Sequence, residues 1–175
     1  MCNHDITDNN VRSFQTQDWN EVKCIYQQGI DTNIATFETS CPTWEKWSDM
    51  HLKECRFVYV LNSKVVGWVA LTPTSSRCVY AGVAEVSVYV ANDAKRKGIG
   101  SALLKRLIES SEANGIWTLQ SGVIEENTAS IELHKKCGFR VVGIREKISQ
   151  DRFGVWKNIV LMERRSKSDD FKCRG

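Results

Sequence analysis

Between Glu85 and Ile108 the hydrophobic period of this chain changes from two to nearly four across a single glycine-bearing turn. That switch dictates a strand feeding directly into a helix. Val86, Val88 and Val90 alternate with other residues, whereas Ile99, Leu103, Leu104, Leu107 and Ile108 recur at helical spacing. Lys95, Arg96, Lys97, Gly98, Ile99, Gly100 and Ser101 form the junction. The N–H groups of a first helical turn have no intrahelical acceptor, and the helix dipole adds roughly half a positive charge there. Such a junction binds anions, and glycines let a phosphate approach the backbone closely. Glu85 opens the strand that leads to it. A phosphate cradle with a carboxylate nearby points to transfer chemistry on a phosphate-bearing cofactor.

The junction is not a Walker loop, because no Gly-Lys-Ser/Thr ending is present, nor a dinucleotide fingerprint, whose third glycine would fall on Leu103. Taken alone, it also describes a tight turn before an amphipathic helix, with Lys95, Arg96 and Lys97 as a solvated cluster. The length of 175 residues suits one domain with a real core. A net charge of +3 gives no argument for nucleic acid, and the local cationic cluster suits one polyphosphate ligand better than a duplex. No apolar run reaches the ~20 residues of a membrane span. The polar stretch 1–10 predicts no signal peptide, and hence a cytoplasmic protein. Cys2, Cys24, Cys41, Cys55, Cys78, Cys137 and Cys173 form an odd set without a Cys-x-x-Cys pair, which reads as small apolar residues of a reducing compartment. His4, His51 and His134 are dispersed, and no metal site is expected.

Periodicity and turn signals predict a strand at 11–14 and a helix opened by a capping box of Asp18 and Glu21. They predict a second helix from a Thr43 cap through Glu54, and a hairpin of 57–61 and 65–71 around Asn62, Ser63 and Lys64. The strand at 84–90 precedes a helix over 98–114, closed by Gly115. A strand at 116–123, a helix from an Asn127 cap to Cys137 and two strands at 141–148 and 155–163 complete the chain. The order β-α-α-β-β-β-α-β-α-β-β describes an α/β (α+β) sandwich, with a mixed, mainly antiparallel central sheet flanked by helices. One domain is expected over 1–166, with a polar tail over 167–175.

Three further segments carry a resemblance. The glycine turn after its valine-rich strand, Glu126-Asn127-Thr128-Ala129-Ser130, and Leu133-His134-Lys135-Lys136-Cys137-Gly138-Phe139 together resemble the GCN5-related N-acetyltransferases (GNAT). Glu85 to Val90, Ile116 to Gln120 and Trp156 to Ser166 resemble the phosphinothricin acetyltransferase branch, which acts on phosphinothricin, methionine sulfoximine or sulfone, and arsinothricin. Ser75 to Ala84 is most similar to the arsinothricin enzymes.

The resemblance implies a GNAT fold, acetyl-CoA as cosubstrate, no metal and a homodimer detoxifying a small amino-acid analogue. A different amine or protein N-terminus, or a non-catalytic acyl-CoA sensor, are the other readings of such a fold. It implies that main-chain groups from Arg96 to Ser101 hold the coenzyme pyrophosphate, with Lys95 where relatives carry Gln or Arg, and Lys97 adding charge. Backbone of Val88, Tyr89 and Val90 would meet the pantetheine arm, with a Val88 N–H aimed at the thioester carbonyl. Asn127 and Ser130 would contact the coenzyme. Glu85 corresponds to the general base that frees the acceptor amine. His134 stands where relatives carry a proton donor for the departing thiolate. Arg77 and Tyr80 would bind the acceptor carboxylate, Ser75 replaces a further arginine, and Thr36, Phe37 and Glu38 would line the acceptor pocket. Trp156 and Lys157 would border that pocket.

Overall fold

Alternation and turn chemistry build the first half of a seven-stranded sheet. In the computed structural model, which describes residues 10–168, β1 (Val11–Ser13) pairs with β2 (Phe57–Leu61), and β2 pairs with β3 (Lys64–Pro73). The two-residue turn has Asn62 at φ 50° and Ser63 at φ 64°, the left-handed pair that matches the twist of a tight hairpin. β4 (Val83–Val90) continues the antiparallel run. The other half comprises β5 (Thr118–Ile124), β7 (Trp156–Arg165) and the edge strand β6 (Arg140–Gln150), giving the order β1-β2-β3-β4-β5-β7-β6. Among the described strand pairs, only β4 and β5 run parallel.

Helices cover both faces. α1 (Trp19–Asp31) buries Val22, Ile25, Tyr26 and Ile30, one apolar stripe at helical spacing. With α2 (Trp44–Met50) it packs on the face that carries Trp68. α3 (Ile99–Ala113) packs on the other face, where a Cβ on Gly67 would stand 3.0 Å from Leu103. α4 (Thr128–Lys136) lies against the start of α3: a Cβ on Gly100 would meet Leu133 at 3.0 Å. A side chain at position 100 would press on Leu133, so Gly100 favours the close approach of the two helices.

The element order matches the sequence expectation, and four local readings are corrected. Asp18 does not cap α1 through its side chain; its buried carboxylate receives both Arg12 guanidinium nitrogens at 2.7 Å and the Gln15 N–H at 2.8 Å. α2 stops at Met50, not Glu54, because the buried Arg56 guanidinium caps the carbonyls of Ser48, His51 and Leu52, while the Leu52 N–H donates to Leu71. β5 starts two residues late, since the N–H groups of Trp117 and Thr118 both donate to the Gly82 carbonyl. β6 is longer than expected and irregular between Arg145 and Ser149, where Lys147 has φ 46°. The tail expected over 167–175 lies, from residue 169 on, outside the described residues, as do Cys2, His4 and Cys173. No described helix is long and apolar enough to cross a membrane.

Candidate active site

β4 and β5 are the two strands that part company. Their ladder covers only Val83, Ala84 and Glu85 against Thr118, Leu119 and Gln120; beyond it β4 runs on to Val90 and β5 to Ile124. Residues in an antiparallel pair alternate between hydrogen-bonded and non-hydrogen-bonded positions. The Ala91 N–H donates to Val66, which fixes the phase of the β3–β4 ladder. Tyr89 and Ser87 therefore bond to β3, and the main-chain groups of Val86, Val88 and Val90 point into the opening beside β5. Val88 and Val90 thus stand where an extended ligand can add itself as a strand. Tyr89 does not: its main chain pairs with Trp68, and its ring stacks on the Trp68 indole at 4.8 Å and 17°.

The start of α3 lies at the same end of β4. Arg96 (φ 63°) and Gly98 (φ 76°) both adopt the left-handed conformation, and no side chain caps the helix. The first helical bond runs from the Ala102 N–H to the Gly98 carbonyl, so the amides of Ile99, Gly100 and Ser101 stay without helical acceptors. Such a nest of N–H groups suits an anion. Lys95 is tied to Asn92 at 2.6 Å and Lys97 to the Asp93 carbonyl at 3.1 Å. Both side chains fold back along the turn. Arg96 is exposed and carries no ion pair among the described residues.

Glu85 occupies the apex of the opening, on the face opposite the valines. It keeps solvent contact, yet desolvation by the surrounding strands pushes its pKa above the ordinary glutamate value; hydrogen bonds with the Gln120 side chain and the Gly122 backbone oppose that shift. A Cβ on Gly122 would stand 3.9 Å from Glu85 Oε1 and 3.3 Å from Ile159. Gly122 thus leaves open the space in front of the carboxylate. Neither Gln120 nor Gly122 was legible as a site residue, because the parallel register of β4 and β5 leaves no local signature.

The same face continues through Ser87 to Tyr89, with the last turn of α1 laid on it: a Cβ on Gly29 would come within 2.6 Å of the Tyr89 ring. Burial raises the pKa of Tyr26 to about 12, with the Glu38 charge adding to the rise and the Thr36 hydroxyl opposing it. Burial likewise raises that of Tyr89. The loop with Thr36, half-buried Phe37 and Glu38 therefore sits against the two phenols, on the face that carries Glu85. Arg77 lies in the exposed connection before β4, its guanidinium 5.6 Å from the Tyr80 ring centroid and its N–H bonded to Ser75 Oγ at 3.2 Å. Lys157 shares the Ile159 face of β7 and has a covered side chain, whereas Trp156 points to the opposite face and is 55% exposed.

Asn127 caps α4, its Oδ1 accepting the Ser130 N–H at 3.2 Å. One turn on, His134 is 1% exposed and stacks edge-on to Phe139. Its Nδ1 lies 2.8 Å from the Ser130 carbonyl and must carry the proton, since a carbonyl only accepts. Nε2 is then a buried bare acceptor with no partner among the described residues. Burial lowers the His134 pKa, opposed by that carbonyl bond. In this tautomer Nε2 offers a hydrogen-bond acceptor.

Residues 18–139 match the acetyltransferase (GNAT) family. This chain belongs to that family. A phosphinothricin N-acetyltransferase of Alcaligenes faecalis is 31% identical over 160 residues, 88% of this chain and 81% of that enzyme. An L-methionine sulfoximine/L-methionine sulfone acetyltransferase of Pseudomonas aeruginosa is 37% identical over 84 residues. That match covers 48% of this chain and 48% of the enzyme, so the chain spans about half the length of that relative. A Salmonella typhimurium structure solved with its cofactor acetyl-CoA superposes with a TM-score of 0.81, at 25% identity over 89% of this chain and 92% of that one. In this GNAT chain β4 carries the carboxylate at the apex of the opening and leads, at its other end, to the uncapped start of α3. Its donor set of main-chain amides and exposed cations fits a diphosphate, and the free edge of β4 fits an amide-bearing arm.

Proposed function

We propose that the chain transfers an acetyl group from acetyl-CoA to the α-amino group of a small amino-acid analogue. The candidates are phosphinothricin, arsinothricin and methionine sulfoximine or sulfone, and the result is resistance to the compound. The observation that carries this reading is Glu85 at the apex of the β4–β5 opening, on the strand whose far end leads into the anion nest. Acetyl-CoA supplies an activated thioester. The amides of Ile99 to Ser101 hold its diphosphate, and Val88 and Val90 pair with its arm and orient the carbonyl. An amino acid enters mostly as an ammonium ion at neutral pH. Glu85 takes the proton that frees the nucleophile, and its raised pKa brings it nearer the operating pH of a general base. Asn127 and Ser130 flank the coenzyme, and His134 accepts a hydrogen bond at Nε2 from that side.

Arg77, with Tyr80 beneath its guanidinium, supports recognition of the acceptor carboxylate, for which a planar fork is suited. Ser75 leaves that arginine without a second one from the same loop. The reading of a single domain through residue 166, a homodimer and a cytoplasmic location belongs to the same proposal. Exposed Val141, Val142 and Ile144 on the edge strand β6 support self-association.

Thiol release from acetyl-CoA, measured over a panel of amines, tests the reading. Phosphinothricin, arsinothricin and methionine sulfoximine should be turned over, and simple amines lacking a carboxylate should not. Arg77→Ala should raise KM for the carboxylate-bearing acceptors roughly tenfold or more, the scale of one charge-assisted hydrogen bond. An equal effect on amines without a carboxylate would remove Arg77 from that role.

A further inference from the structure

A buried carboxylate that the reaction does not use holds the tip of the β6–β7 hairpin. Asp151 has a side chain only 5% exposed. Its Oδ1 receives the N–H groups of Phe153 (2.9 Å) and Val155 (3.0 Å), which shapes the turn together with Gly154 at φ 77°. Its Oδ2 receives the Asn33 side-chain amide at 2.8 Å and lies 3.7 Å from Lys157 Nζ. Lys157 also bonds Glu126 at 2.7 Å, in the turn before Asn127. Next to Asp151, Arg152 donates to the Asp31 carbonyl at the end of α1, at 3.1 Å. Asn33 itself sits at φ 58°, a conformation that asparagine tolerates.

The topology gives these contacts their meaning. The end of α1 rests on β4, through Gly29 against Tyr89. The hairpin tip belongs to β6 and β7, on the far side of β5. The contacts from Asn33 and Asp31 to residues 151–152 therefore cross the β4–β5 opening on the face that carries Glu85. They close a ring running from β4 through α1 and the hairpin to β7, β5 and back to β4. The segment 32–43, which bears Thr36, Phe37 and Glu38, leaves α1 at this crossing.

We propose that Asp151 is a positioning residue, whose bond to Asn33 straps the hairpin tip across the acceptor side of the opening and sets the 32–43 loop over Glu85. The strap rests on the acetyl-transfer reading for its consequence, though not for its existence. Acceptor binding depends on it and coenzyme binding does not, because the strap bonds neither the anion nest nor the main-chain groups of Val88 and Val90.

Steady-state kinetics with Asp151→Asn, Asn33→Gly and the double variant test this. Asp151→Asn retains an acceptor for Phe153 and Val155 but loses the charge that holds Lys157 and Asn33. Asn33→Gly removes the amide at a backbone angle that glycine accepts. Each single variant should raise the acceptor KM roughly tenfold, with the double variant no worse than Asp151→Asn alone, since that change already removes the contact with Asn33. Values of kcat and of KM for acetyl-CoA should stay within about twofold of wild type, which a general loss of structure would not allow. Unchanged acceptor KM, additive effects, or an equal rise in KM for acetyl-CoA would overturn the strap. A wild-type chain releasing no thiol with any acceptor would refute the acetyl-transfer reading instead. Hydrogen exchange then decides: Asn33→Gly must speed exchange at the Phe153 and Val155 amides, and unchanged rates there overturn the strap.

Discussion

Glu85→Gln is expected to lower kcat by roughly 10²–10⁴-fold, the usual worth of a positioned general base, while acetyl-CoA affinity stays unchanged. Glutamine keeps the shape and the contacts with Gln120 and Gly122, but it has no basic oxygen able to take the ammonium proton. The pH profile separates this from a packing defect. The ionised form of Glu85 does the work, so kcat/KM of the wild type should rise with pH through an apparent pKa above the ordinary glutamate value. That limb should vanish in the glutamine variant. Stability should move the other way. A carboxyl whose folded pKa is raised binds protons more tightly in the folded state, so its contribution is present at low pH and lost as pH rises through the folded pKa. At pH 7 the ionised Glu85 is a cost, and Glu85→Gln should melt at the same temperature or slightly higher. A variant with wild-type turnover, or one that lost activity by unfolding, would contradict the assignment.

Trp68→Ala should destabilise the fold by about 3–5 kcal/mol, the cost of deleting a large buried aromatic. For a domain of this size that lowers the melting temperature by roughly 10 °C. Trp68 is 1% exposed and meets Tyr26, Trp47, His51 and Tyr89 at once, so α1, α2 and β4 all lose their shared contact. Trp68→Phe is the control. The Trp68 indole N–H is buried without a partner among the described residues, so phenylalanine removes an unsatisfied donor along with part of the ring. It should cost much less than alanine. Thermal melts of the three proteins check this, and equal losses for alanine and phenylalanine would contradict the packing account. Acceptor KM should track the alanine defect, because Tyr89 and the end of α1 carry the loop bearing Thr36 and Glu38.

Local signals made the element order legible. The hairpin at Asn62 and Ser63, the Asn127 cap and the strand-to-helix switch at Gly98 each act within a few residues, and such features can be read from a sequence. Position of the anion nest and of Glu85 followed from the same switch. Long-range partners decided what was misread. Arg56 ends α2 by bonding carbonyls that no helix propensity reveals, and Arg12 draws Asp18 away from its capping role. The face opposite the valines was predictable for Glu85, but Gln120 and Gly122 reach it only through a parallel pairing between distant strands. His134 shows the limit most clearly. Its position was legible, whereas its tautomer is set by the Ser130 carbonyl, a contact made only once α4 has formed. Asn33 and Asp151, 118 residues apart, have no signature that links them.

The uncapped amides opening α3 and the free edge of β4 are held to seize a coenzyme, and titration of acetyl-CoA into the folded chain tests this most directly. Calorimetry should show one coenzyme per chain, with a Kd on the scale of common enzyme KM values, about 1 μM to 1 mM. Amide resonances of Val88, Val90 and Ile99 to Ser101 should shift with the same midpoint. No heat of binding, or shifts confined to other parts of the chain, would contradict the account.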